Sequence, residues 1–252
     1  MVQHANRVIV SGCGPVGAVI ALALVKKGIP VTLIEQLPDA AEDQRAATIH
    51  PPTVEMLVGL GLETEMFSQA PSGGIAAPLF HFRDRATGEL VAEFDISLLK
   101  GEVPYPYVVQ WEQYKLVHAA LPYIIASGMG EVRFSTKLVG LAQTADGVEA
   151  TVINAGGATE KLCGMYLIGA DGGSSTVRRL AEIAFVGFTW PERFIKSAPA
   201  LTSAPPARAI APATTSPIPM NGSICSRSKA AVRQASGAAC SRCRRRKPTR
   251  RR

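Results

Sequence analysis

Val8-Ile9-Val10-Ser11-Gly12-Cys13-Gly14-Pro15-Val16-Gly17-Ala18, running on through Ile20-Ala21-Leu22 to Lys26-Lys27-Gly28, is the stretch that decides the fold. Val8 to Ser11 is a short β-branched run and reads as a buried strand. Gly12 to Gly17 follows at once as G-x-G-x-x-G. Ala18 to Val25 is apolar on every side, which suits a helix packed between a sheet and other protein. Lys26 and Lys27 place cations at the negative helix end, and Gly28 suits the left-handed position that closes a helix. Ile29 to Ile34 is a second strand, and Glu35 stands at its tip.

Each residue type has a physical reason. Gly12 allows the tight turn off the strand, Gly14 lets a pyrophosphate approach the backbone, and Gly17 lets helix and strand pack closely. Pro15 fits the first helical turn, where its missing N–H costs nothing. The unpaired N–H groups of that turn face the phosphates. Glu35 lies 23 residues after Gly12, placed to accept the hydroxyls of an adenosine ribose and to repel a 2′-phosphate. The stretch therefore predicts a dinucleotide site that favours FAD or NAD over NADP. These residues alone leave FAD and NAD both open.

The 252 residues carry a formal net charge of +7, but that average describes no part of the chain. Residues 1–195 hold all 20 acidic residues against 14 cations, a net of −6; residues 196–252 hold 13 cations and no acid. Nearly half of the chain is apolar, ample for a core. No apolar run reaches the ~20 residues of a membrane span. The N-terminal apolar segment lacks the pattern of a signal peptide. Five scattered cysteines suit a reducing compartment. Together these predict a cytoplasmic protein with no membrane partner.

Further along, Thr53 is predicted to cap a helix through Leu60 with Met56, Leu57 and Leu60 on its apolar face. Residues 78–95 read as a hairpin, with His81 on the face opposite Phe80 and Phe82 and only partly exposed. No acid or nucleophile is visibly paired with His81, so it is read as a strand residue and not a catalytic one. Val108-Val109-Gln110 is a short strand, and residues 111–127 a helix that Pro122 is expected to kink or end early. Residues 132–162 read as an antiparallel meander of four strands, with Asp146-Gly147 and Gly156-Gly157 as turns. Met165 to Ile168 is a strand again, running into Gly169-Ala170-Asp171-Gly172-Gly173-Ser174-Ser175-Thr176-Val177-Arg178. That is a second strand–turn–helix, with Ser174 or Ser175 as cap.

The ordered set of G-x-G-P-x-G with Glu35, Arg45 before a helix, Gln110 before a helix and G-A-D-G-x-x-S-x-V-R at 169–178 resembles the FAD-dependent aromatic hydroxylases, the p-hydroxybenzoate hydroxylase-like flavoprotein monooxygenases. The resemblance covers about residues 5–195. It implies that Gly12, Gly14, Pro15 and Gly17 face the FAD pyrophosphate and Glu35 the ribose. It places Arg45 near the ADP moiety, where a permanent guanidinium suits phosphate oxygens. It places Gln110 on the flavin side, gives Asp171 and Gly172 both the FAD pocket and the NAD(P)H approach, and has Arg178 support that region. In the family NADPH or NADH reduces the flavin, and dioxygen then supplies one oxygen atom to an electron-rich ring. The cofactor carries the chemistry, so no catalytic acid, base or nucleophile is named, and no metal is expected.

The fold this implies is α/β: a Rossmann-like FAD-binding domain over residues 1–183 with an antiparallel meander. The hairpin 78–95 is expected to belong to a substrate-side sheet, with residues 184–195 opening a truncated substrate domain. The family's third motif, a Gly-Asp followed by a helix that meets the flavin ring, is missing from the sequence. Residues 196–252 are rich in Ala, Pro, Ser, Thr and Arg, and are expected to be a disordered basic tail. Their abrupt onset near Lys196 suggests a reading frame lost in a GC-rich gene; a Gly-Asp motif in another frame would show it. The expected function is hydroxylation of an aromatic or phenolic compound with NAD(P)H and dioxygen, weak or lost in a chain without the flavin-facing motif. Two other readings stand beside it: another FAD-dependent oxidoreductase, or a non-enzymatic protein using the run Arg242 to Arg252. That run lacks interleaved aromatic residues, which argues against nucleic acid as a partner. Cys240 and Cys243 have no second ligand pair at zinc-site spacing.

Overall fold

The computed structural model describes residues 6–42, 46–84 and 87–189, and the backbone of two strands at 213–216 and 223–226. In chain order the elements are β1 (Val8–Ser11), α1 (Pro15–Lys26), β2 (Val31–Ile34), β3 (Thr48–Ile49), α2 (Pro51–Gly59), α3 (Glu63–Met66), β4 (Ile75–Ala77), β5 (Leu79–Arg83) and β6 (Leu90–Asp95). After a 3-10 turn come β7 (Val108–Gln110), α4 (Gln113–Ala126), β8 (Gly130–Arg133), β9 (Lys137–Thr144), β10 (Gly147–Ile153), β11 (Thr159–Gly164), β12 (Tyr166–Gly169) and α5 (Thr176–Leu180). The last two strands are β13 (Ala213–Ser216) and β14 (Ser223–Ser226).

The central sheet has the order β12-β1-β2-β8, and every neighbouring pair is parallel. All four residues of β1 and of β2 are buried, as parallel strands covered on both faces must be. One face is covered by α1 and α4, which pack on each other, through Ala18, Ala21, Leu22, Val117, Ala120 and Ile124. On the other face Ile9 and Ile34 meet Leu138, Ala150 and Val152 of the β9–β10–β11 meander. Two strands too short to announce themselves, β3 and β4, flank β7 in a small antiparallel sheet.

Several expectations are corrected. Val132 and its neighbours are not a meander strand: β8 pairs parallel with β2, and α4 is the crossover that brings it there. The meander therefore has three strands. The helix expected from Thr53 starts at Pro51, with His50 as N-cap and prolines in its first turn, because proline needs no N–H partner there. Its buried face is Val54 and Leu57, while Met56 is exposed. The helix expected over 111–127 is Gln113–Ala126, and of the kink or early break expected at Pro122 the early break does not occur. Pro122 and His118 both face solvent, so the His118 carbonyl that loses its helical partner is free to meet water. His81 has an acid partner after all: its Nε2 lies 2.7 Å from Glu93 Oε2 across the β5–β6 hairpin. In the tail, β13 pairs parallel with β5 and antiparallel with β14, where no strand was expected. The other calls on residues 196–252, Cys240 and Cys243 included, lie outside the described residues.

Candidate functional site

The two strand–turn–helix corners meet because β1 and β12 are hydrogen-bonded neighbours that end together, Ser11 opposite Gly169. Gly12 follows with φ +105°, and a Cβ there would stand 2.5 Å from the Ala170 carbonyl oxygen. Only glycine has the required backbone freedom and lets the second turn close on the first. A Cβ on Gly17 would stand 1.8 Å from the Gly12 carbonyl oxygen, so the start of α1 lies directly on the turn. Gly14 differs: a Cβ there meets nothing within 4 Å. Its bareness serves no packing need of the chain itself. No side chain caps α1, so its N-terminal turn opens on the space beside Gly14.

That space is a crevice of about 560 Å³, within the usual ~300–1,000 Å³ of small-molecule sites. Of the predicted residues, Gly12, Gly14, Pro15, Glu35, Asp171 and Gly172 line it. Gly17 lies behind it, under the turn. Gln110 is not on its wall: it is buried in β7 and accepts a hydrogen bond from Thr48 Oγ1 at 3.1 Å. Arg178 is not on the wall either; its guanidinium stands 4.7 Å above the Phe185 ring. Arg45 lies outside the described residues.

Glu35 reaches back over the glycine turn. Its Oε2 accepts from the Cys13 N–H at 2.8 Å and its Oε1 from the Leu37 N–H at 3.0 Å. A carboxylate has about four acceptor sites, so lone pairs remain for ligand hydroxyls. Asp171 is bound to its own helix: Oδ2 accepts from the Thr176 and Val177 N–H groups at 2.7 and 3.0 Å, and Oδ1 from the Ser175 hydroxyl. Ser175 caps the same helix through the Arg178 N–H. Burial pushes the Asp171 carboxyl up, but the Ser175 hydroxyl and the Val177 and Thr176 N–H groups outweigh it and hold it below its ordinary 3.8. A lowered carboxyl stabilises the fold above its ordinary value, and that contribution is lost as the pH falls through the lowered one. Asp171→Asn is therefore expected to cost about 1 kcal/mol at neutral pH, as other lost caps do. The variant should also lose less stability on acidification than the parent; urea unfolding at pH 7 and pH 3 measures both.

Cys13 sits in the same turn. Burial first, then the Glu35 and Asp39 charges, push its thiol up to about 12. At pH 8 only about one molecule in ten thousand would carry the reactive thiolate. Iodoacetamide at that pH should leave Cys13 unlabelled in the folded protein while exposed Cys163 reacts; peptide mass mapping reads this directly. Among the described residues no group of three or more side chains is placed to hold a metal ion. No helix among them is long and apolar enough to cross a membrane.

Among the wall residues that sequence reasoning missed are Gln113, Tyr114, Thr136 and Leu138. Gln113 and Tyr114 lie between Glu112 and Lys115, a buried ion pair at 2.7 Å. Lys115 Nζ also donates to the Pro71 carbonyl, and Trp111 Nε1 to that of Ser72. These contacts fix the first turn of α4 against the 68–74 loop, and with it the two wall residues. Thr136 arrives because its N–H donates to the Glu35 carbonyl at 2.8 Å.

The family of the FAD binding domain matches residues 5–240. A flavin-dependent monooxygenase of Mycobacteroides abscessus is 33% identical over 190 residues, 73% of this chain and 38% of its own length. The 6-hydroxy-3-succinoylpyridine 3-monooxygenase HspB of Pseudomonas putida is 33% identical over 193 residues, 75% of this chain and 47% of its own. The chain thus spans less than half the length of these relatives. Among solved structures, p-nitrophenol 4-monooxygenase PnpA of Pseudomonas putida matches with a TM-score of 0.68 and 28% identity, over 73% of this chain and 46% of that one. The glycine turn, the acid-tipped second strand and the second corner that closes on them therefore go with the sequence matches: the chain belongs to the FAD-binding family of the flavin-dependent aromatic monooxygenases.

Proposed function

We propose that the crevice holds the ADP half of FAD and that the function by descent is NAD(P)H-dependent hydroxylation of an aromatic or phenolic compound. The observation that carries this reading is the convergence of Gly14, the uncapped end of α1, Glu35 and the Asp171-Gly172 turn on one crevice. The open space at Gly14 fits a pyrophosphate, since no protein atom occupies what its missing Cβ leaves free. The α1 N–H groups and dipole favour the negative phosphates, and the Glu35 oxygens suit ribose hydroxyls. Asp171 holds α5 against the turn and shapes the wall. When bound, FAD supplies the redox chemistry with NAD(P)H and dioxygen; this chain's residues bind it, orient it and exclude water from its phosphates. The hairpin β5–β6 is assigned to the substrate side, and residues 1–183 to the cofactor.

The sequence lacks the Gly-Asp motif, so we propose that this chain binds FAD weakly and hydroxylates little or not at all. Titrating FAD with protein and following quenching of its fluorescence tests the first part. Glu35→Ala should weaken that binding about tenfold, which corresponds to ~1.4 kcal/mol. Purified protein that is yellow, and that oxidises NADPH faster when 4-nitrophenol is added, would overturn the second part. No quenching by any concentration of protein would overturn the FAD reading itself.

A further inference from the structure

Two residues of the crevice wall, Gln113 and Tyr114, open α4, and the chain is tied down on both sides of them. On one side the Trp111 N–H donates to the Ala47 carbonyl at 2.6 Å, the Trp111 indole to that of Ser72 at 2.7 Å, and the Gln113 N–H to that of Ala46 at 3.3 Å. On the other side Lys115 Nζ donates to the Pro71 carbonyl at 2.8 Å and meets Glu112 Oε2 at 2.7 Å. The same ammonium stands 6.0 Å from the centre of the Tyr114 ring, and the His118 ring meets Tyr114 edge-on at 6.2 Å. Lys115 itself does not line the crevice.

As a device for stability the Glu112–Lys115 pair is poorly placed. Both residues are buried, and the cost of taking two charges out of water can exceed what their attraction returns. Lys115 is the third residue of α4, at the positive end of the helix, where a cation is disfavoured. Glu112 holds the N-cap position, yet its carboxylate makes no cap bond. What the pair does supply is a fixed place for the first helical turn. We propose that Glu112 and Lys115 are positioning residues of the nucleotide crevice: the pair sets Gln113 and Tyr114 on the wall and adds nothing to the stability of the fold. The inference rests on the FAD reading, since it gives that wall a nucleotide to meet.

Glu112→Leu, Lys115→Met and the double variant, made in the full chain, test it by urea unfolding, FAD fluorescence titration and hydrogen exchange of residues 111–115. Each single variant removes a partner from a buried charge and should lower the urea midpoint. The double variant puts apolar side chains in place of both charges, and its midpoint should return to that of the parent or rise above it. Its FAD binding should stay about tenfold weaker than the parent's, and its residues 111–115 should exchange faster. A pair that served only the fold would regain affinity together with stability. Lys161→Met removes a pair of the same kind with Glu149 at 2.8 Å, on the meander and 65% exposed at the lysine, and should change neither quantity. A double variant as unstable as the single ones would overturn the proposal. So would one that binds FAD like the parent, or one whose residues 111–115 exchange no faster; all three results leave the FAD reading standing. A parent chain that quenches no FAD fluorescence would overturn that reading, and with it the role given to the pair.

Discussion

Gly17→Ala is expected to destabilise the protein by about 3 kcal/mol or more, at the upper end of what overpacking costs. Inside a helix the same exchange ordinarily stabilises by roughly 0.5–1 kcal/mol, because alanine loses less backbone freedom on folding. Here the sign reverses. The new methyl would sit 1.8 Å from the Gly12 carbonyl oxygen and 3.3 Å from the Ala170 Cβ. Neither is the free end of a flexible side chain: one is backbone in the turn itself, the other belongs to the corner behind it. Relief requires α1 to move off β1, which would loosen the packing of buried Ala18, Ala21 and Leu22. Chemical denaturation followed by far-UV circular dichroism reads the loss. A variant as stable as the parent would show that the helix does not seat on the turn as described.

Gly14→Ala is expected to divide its effects the other way: cost no more than about 1 kcal/mol of stability and weaken FAD binding about a hundredfold. Gly14 has φ −77° and ψ −177°, extended backbone open to any residue, and its Cβ would meet no protein atom within 4 Å. At a helix N-cap alanine is the poorer choice, by about 1 kcal/mol relative to glycine, and that is the whole of the expected loss. The methyl would stand where the pyrophosphate must approach, and a hundredfold loss corresponds to ~2.7 kcal/mol. Fluorescence titration with FAD beside a thermal melt separates the two quantities. If both glycine variants lost stability equally, the division of labour between them would be wrong.

The contrast shows what the sequence made legible. Strand, turn, helix, second strand and terminal acid are contiguous between Val8 and Glu35, and every spacing rule acts within that window. The second corner at Gly169–Arg178 was legible for the same reason. β8 was not, because an apolar alternation looks the same in a meander strand as in an edge strand of a parallel sheet; only the α4 crossover decides between them. β3 and β4 escaped because two or three residues have no period. Gln113, Tyr114 and Thr136 reach the crevice through tertiary contacts that leave no local signal. The His81–Glu93 pair was overlooked because it depends on the register of the hairpin, which sequence fixes only loosely. The flavin-side place given to Gln110 came from a resemblance and not from any local pattern; its side chain accepts from Thr48 inside the small sheet.

Glu35 has a consequence for how quickly the crevice works. Its carboxylate already clasps the amide of Cys13 on one side and of Leu37 on the other, so the socket is rigid before any guest arrives. The cost of ordering that loop is met when the chain folds, not when a nucleotide docks. A socket built this way should capture its ligand without waiting for a rearrangement, and differences in affinity among variants that keep the clasp should appear chiefly in the rate of escape.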